Sequence, residues 1–208
     1  YHYTWMWELE ASPEALWPLV SDTNRFNRDT GLPPMQLLGI NRGVKLVKFK
    51  VPVIQVEWEE EPFEWTYPYR FGVLRRYRKG PLAEMRVDCR LERLQPSGTR
   101  IIYETWVKPK NILGTIGIPL AIGMVSARRF ANAFQLYDRI ASRGGSVLTI
   151  SKGRNLSSAG HNKFKVLSER LMGQGVGADV LERLYEFLHR ADDLSIQRMR
   201  PYALADGW

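Results

Sequence analysis

One cysteine, Cys89, is all that 208 residues contain, which excludes an intramolecular disulfide and a cysteine-rich metal site. A reducing, cytoplasmic setting fits that usage. Histidine is nearly as scarce. His2, His161 and His189 are scattered along the chain, so neither a histidine metal site nor a Ser/His/Asp triad is suggested, and no G-x-S-x-G elbow occurs. No metal and no cofactor is expected. A secretory signal pattern is missing, as is any run of 18 or more apolar residues. The longest uncharged stretch, 111–127, is interrupted by Gly114, Gly117 and Pro119. Gly173, Gly175 and Gly177 alternate, but without the preceding strand that a phosphate-binding loop requires.

What is present is 44% hydrophobic and 12% aromatic residues, enough for one substantial core and a smaller appendage. The formal charge of +8 raises the question of an anionic partner. Much of the excess is absorbed by alternation. Glu57, Glu59 and Glu61 on one strand face Arg76 and Arg78 on the next, followed by Arg86, Asp88, Arg90 and Glu92, a pattern expected of a solvated sheet face. The remaining cations are Lys152, Arg154, Lys163 and Lys165, plus Arg128, Arg129, Arg139 and Arg143. They carry no zinc-finger, RNA-recognition or homeodomain pattern, so nucleic acid is a disfavoured partner, whereas peripheral membrane contact is compatible with them.

Residues 3–10 place Tyr3, Trp5, Trp7 and Leu9 on one side at period two, the mark of a half-buried strand. Ser12-Pro13-Glu14 then supplies an N-cap, a proline at the first helical position and an early acid. A second, polar helical turn or two is expected over 23–29. Strands are expected at 35–40, 44–50, 54–61, 65–78, 83–94 and 100–107, divided by turn residues such as Asn41-Arg42-Gly43 and Pro96-Ser97-Gly98. With the first strand this makes about seven, joined by short links, which implies an antiparallel meander. A long helix follows, from about Gly117 to Arg143, with apolar residues at helical spacing. The expected organisation is a domain over 1–143, a Gly/Ser-rich basic linker over 144–163 and a helical connector over 164–208, in which Asp179 and Glu182 form a capping arrangement.

That order of elements is α+β, a helix-grip arrangement in which a curved antiparallel sheet wraps round a long C-terminal helix. Over residues 8–22, ELEASPEALWPLVSD, and again at Pro96-Ser97-Gly98-Thr99-Arg100, the sequence resembles the START-like (SRPBCC) superfamily of polyketide cyclases and lipid-transfer proteins. The resemblance covers 1–143 and implies a cavity for a hydrophobic small molecule or lipid between sheet and helix. Residues 196–208, IQRMRPYALADGW, are similar to the junction in bacterial multidomain proteins that end in an adenylate/guanylate cyclase-like domain. This implies a downstream domain of the same chain as a partner, and the 208 residues are expected to be part of a longer protein.

Strand parity and helix spacing nominate the cavity lining: Trp7, Trp58, Tyr69, Phe71, Cys89, Tyr103 and Thr105 from the strands, and Ile116, Leu120, Met124 and Phe130 from the helix. Tyr69, Tyr103 and Thr105 are the pointed members, because a buried hydroxyl needs a partner that a ligand's polar head could supply. The same residues could instead pack into a filled core. The glycine-punctuated stretch 111–125 could form a loose entrance or a well-packed helix start. Parity sends most carboxylates outward, so a non-catalytic binding or sensor domain is expected. The alternatives are a cyclase/aromatase-type enzyme using Tyr69 and Tyr103, or a filled-cavity scaffold for protein contacts.

Overall fold

The computed structural model describes residues 1–33, 35–50, 55–144 and 156–191, together with Ile196, Met199 and Leu204. The start of the expected strand at 54, most of the expected linker, and the greater part of 192–208, including the segment similar to cyclase junctions, lie outside the described residues. The chain divides into two compact units, Tyr1–Gly144 and Gly145–Trp208.

The first unit opens with β1 (His2–Leu9), whose burial alternates as the aromatic period-two pattern requires. Helix α1 (Pro13–Val20) starts where the Ser12 side chain accepts the Ala15 N–H at 3.3 Å, and Pro13 fits the first turn because no helical bond is asked of its nitrogen. Helix α2 (Thr23–Asp29) is capped in the same way by Asp22 on the Arg25 N–H. It is not simply polar, since Arg25, Phe26 and Asn27 are buried. Then come β2 (Gln36–Asn41), β3 (Val44–Lys50), β4 (Gln55–Glu60), β5 (Glu64–Thr66), β6 (Arg70–Lys79), β7 (Leu82–Arg93) and β8 (Thr99–Pro109). The β2–β3 hairpin turns on Arg42 and Gly43, both at positive φ, which suits the right-handed twist of the flanking strands.

Every described pairing is antiparallel, in the order β1-β8-β7-β6-β4-β3-β2, with β5 added beside β6. The two ends of the chain segment that makes this sheet therefore meet: β1 pairs with β8 along its whole length, from His2 opposite Trp106 to Leu9 opposite Thr99. The single strand expected over 65–78 is two strands. Between them the Tyr69 N–H closes a turn on the Thr66 carbonyl at 2.8 Å, and this resets the parity of everything before residue 70.

A helix of 30 residues, Ile112–Ala141, completes the unit and spans about 45 Å. It comprises α3 (Ile112–Ile118), a π-helical segment (Pro119–Ser126) and α4 (Ala127–Ala141). By length and composition it could cross a bilayer, although no 18-residue run is wholly apolar, and only 11% of its most apolar window is buried. It follows β1 residue by residue. The Tyr1 hydroxyl donates to the Thr115 carbonyl at 2.8 Å, Trp5 meets Phe130 at 5.4 Å between ring centres, Trp7 meets Phe134 at 4.8 Å, and Asp138 accepts the N–H groups of Glu10 and Ala11. At Gly114 the helix comes close to the turn between β6 and β7, since a Cβ there would sit 2.1 Å from the Pro81 carbonyl oxygen.

In the second unit, α5 (Ser158–Gly173) is capped by the Ser157 hydroxyl, so residues 158–163, expected as linker, are helical. Helix α6 (Ala178–Arg190) begins after Gly177 with no side-chain cap, which places Asp179 inside the first turn rather than at the cap. The two helices meet through Phe164 and Tyr185, 5.2 Å apart, and through His161 and His189.

Candidate ligand-binding interior

Register assembles the concave face of the sheet in rows. One runs Trp5, Tyr103, Cys89, Phe71 across β1, β8, β7 and β6; the next runs Tyr3, Thr105, Val87, Val73. Of the residues nominated from sequence, Trp58, Phe71, Cys89, Tyr103 and Thr105 are buried, and Trp7 and Phe130 are half-buried. Phe130 stands 5.1 Å from Tyr103 and 5.4 Å from Trp5, so helix and sheet do close on one another here. Phe26 of α2 completes the group, 5.0 Å from Phe130 and 5.6 Å from Tyr103. Its position was concealed by the polar residues around it.

Four nominations do not hold. Tyr69 is 46% exposed because it belongs to the turn before β6, where the period-two rule no longer applies. Ile116, Leu120 and Met124 are 62%, 55% and 72% exposed. Counting back from Phe130 in α-helical steps fails across the π-helical segment, whose i→i+5 bonding shifts the phase; Gly114 and Ile118 occupy the buried side instead.

The interior also holds a charge pair, Glu60 and Arg75, that was not among the residues nominated from sequence. Trp58 and Glu60 point the same way along β4, and the register sets Lys45, Glu60 and Arg75 opposite one another on β3, β4 and β6. Arg75 Nε donates to Glu60 Oε2 at 2.9 Å, and only 7% of the Arg75 side chain and 13% of the Glu60 side chain reach solvent. Lys45 Nζ stands 3.7 Å from the other carboxylate oxygen, and the guanidinium carbon lies 5.7 Å from the centre of the Trp58 ring. Burial works to discharge Arg75, but Glu60 and the nearby Tyr77 and Tyr103 outweigh it and raise the pKa, so the guanidinium is charged at any physiological pH.

Burial pushes the Tyr103 phenol well above its ordinary value, the Cys89 thiol and Arg75 charge being smaller influences, so Tyr103 is a neutral hydroxyl. Tyr77 is raised for the same first reason. Burial likewise raises the Cys89 thiol, with Asp88 adding to it, which removes the thiolate that nucleophilic chemistry would need. Among the described residues no group of three or more His, Cys, Asp or Glu is placed to hold a metal ion. On the opposite face Glu57, Glu59 and Glu61 pair with Lys79, Arg78 and Arg76. An open depression of about 500 Å³ lies over that face, lined by Ile40, Val44, Leu46, Glu59, Glu61 and Arg78 among others.

No protein-family model matches the chain, and no curated protein matches it. Solved structures do match its fold. A conserved protein from Geobacillus kaustophilus is 14% identical with a TM-score of 0.51, covering 69% of this chain and 97% of that one. The Zhui aromatase/cyclase from Streptomyces sp. R1128 is 10% identical at 0.50, covering 70% and 98%. A START superfamily protein from Mycobacterium smegmatis is 12% identical at 0.50, covering 66% and 97%. The fold is therefore START-like, an α+β helix grip shared with these structures.

Proposed function

We propose that the unit Tyr1–Gly144 binds an apolar small molecule or lipid between the concave sheet face and α4, with the polar end of the ligand directed to Arg75, Glu60, Tyr77 and Tyr103. The observation that carries this reading is the Arg75–Glu60 pair. A buried guanidinium and a largely covered carboxylate in an aromatic interior cost stability unless hydrogen bonds satisfy them, and a hydrophobic pair of equal volume would fill a core at lower cost. A binding site is where such a pair is useful, because it orients a ligand head among apolar walls. The helix-grip fold, shared with a START superfamily protein and an aromatase/cyclase, agrees with this use.

Release of bound molecules under native mass spectrometry, followed by titration of the emptied protein with a polyene fatty acid that fluoresces on binding, tests the reading. Saturable binding is expected, weakened roughly tenfold in Tyr103→Phe if that hydroxyl holds the ligand head. No co-purifying molecule and no saturable fluorescence would sink it and leave the filled scaffold.

A second reading is favoured by one observation, the inward carboxylate of Glu60. The cyclase-type enzyme expected as an alternative needs an interior acid or base, and Glu60 with Tyr103 supplies candidates. Turnover of a linear polyketide-type chain, lost in Glu60→Gln but not in Tyr103→Phe, would assign the acid. Regulation of a downstream nucleotide cyclase rests on the resemblance of residues 196–208 alone. In that reading, ligand occupancy is passed to the following domain.

A further inference from the structure

Residues 105–137 contain four cations, Lys108, Lys110, Arg128 and Arg129, and no acid. Between the two basic pairs, the first half of the long helix leaves its apolar side in water. Leu113, Ile116, Leu120 and Met124 follow one another at steps of three, four and four, and Ile112 and Val125 widen the stripe; each of the six is between 46% and 77% exposed. The π-helical turn broadens it further, because its wider winding brings both Met124 and Val125 round after Leu120. The buried side of the same segment, at Gly114 and Ile118, faces the rest of the first unit, so the exposure belongs to the side turned away from its sheet.

From this we infer that the stripe docks on an anionic lipid bilayer, with the helix lying in the plane of the surface. Packing keeps the full 30-residue helix from spanning, and its unpacked half alone is too short to span. The 15 residues Ile112–Ser126 measure about 22 Å, short of the roughly 30 Å of a hydrocarbon core. The continuation, α4, is held against Trp5, Trp7 and Phe26. A second copy of the chain is a poor occupant, because a two-fold contact through the stripe would bring Lys110, Arg128 and Arg129 of both copies together, six cations, while the helical segment between them carries no acid. An anionic surface answers both halves of the pattern: apolar side chains enter the interface, and Arg128, with the exposed Lys110 and Arg129 whose charged ends also hold the Arg78 and Thr30 carbonyls, meets the headgroups. The surface is independent of what occupies the interior.

Co-sedimentation of the full chain with vesicles, either pure phosphatidylcholine or phosphatidylcholine with 30 mol% phosphatidylglycerol, tests it. Binding to the anionic vesicles is expected, weakening as salt is raised, and falling at least tenfold in the double variant Leu120→Asp, Met124→Asp. Arg128→Gln, which keeps the stripe, is expected to lose roughly fivefold on anionic vesicles and nothing on neutral ones. All three substitutions are at exposed positions, and an unchanged near-ultraviolet spectrum would show that the fold is kept. Absence of binding to anionic vesicles, or equal binding by the double variant, overturns the proposal. A wild-type dimer that the double variant dissociates, without vesicle binding, assigns the stripe to a second copy instead.

Discussion

The two halves of the long helix are equal in length and opposite in placement. Ile112–Ser126 carries no charge and turns a row of large apolar side chains to water; Ala127–Ala141 carries Arg128, Arg129, Asp138 and Arg139 and supplies five buried residues to the core. Apolar content alone would have ranked them the other way. What separates them is pattern. The second half concentrates its apolar residues on one face, against which the aromatic residues of β1 and α2 pack, whereas the first is apolar all round and can bury only one side against the sheet. Hydropathy records what would leave water if offered a surface, and the surface must still be found.

The widest separation between the halves should appear in stability. Phe134, almost wholly buried among Trp7, Phe26, Tyr103 and Tyr137, should cost about 3–5 kcal/mol when truncated to alanine. Leu120→Ala removes a similar kind of side chain from the exposed half and should cost less than about 0.5 kcal/mol. Urea denaturation of both variants measures this. Equal losses would mean that the first half is packed after all, and the comparison would collapse.

A smaller effect, on the second half alone, comes from Tyr137, whose hydroxyl donates to Asp29 Oδ2 at 2.8 Å. Tyr137→Phe leaves that carboxylate short of a donor and should cost about 1.5–3 kcal/mol near neutral pH. Burial, and then the negative charge of Asp29, raise the phenol above its ordinary value. The folded state therefore holds this proton more tightly than the unfolded chain does. Its contribution is complete below pH of about 10, the unfolded value, and is lost as pH rises beyond it. Denaturation at pH 8 and at pH 11 should show the gap between wild type and variant narrowing at the higher pH. A gap independent of pH would mean that Asp29 does not depend on the phenol.

The sheet was legible in the sequence because one face is buried and one is wet, so strands such as β1, β7 and β8 print their register as alternation. Trp58, Phe71, Cys89, Tyr103 and Thr105 could be placed from that rule alone. It failed wherever a local device changed the period. The turn at Tyr67 to Tyr69 interrupts one strand, and the π-helical segment displaces Ile116, Leu120 and Met124 from the phase set by Phe130. Glu60 was hidden for a different reason: it follows Glu57 and Glu59 in an acidic run, and only its pairing with Arg75 and its place two residues after Trp58 separate it from the outer row.

The smallest effect has the opposite sign. At Gly117, in the exposed half, an added Cβ would meet nothing within 4 Å, and the residue is helical. Gly117→Ala should stabilise the local helical segment by up to about 1 kcal/mol, since alanine loses less backbone freedom on entering a helix. If the first half exists to sit on a surface rather than to support the core, this stiffening should leave urea stability of the unit nearly as it was. The gain should appear instead as slower amide hydrogen exchange confined to 112–126. An equal rise in the protection of α4 would show that the two halves unfold as one, and that their difference lies only in what they touch.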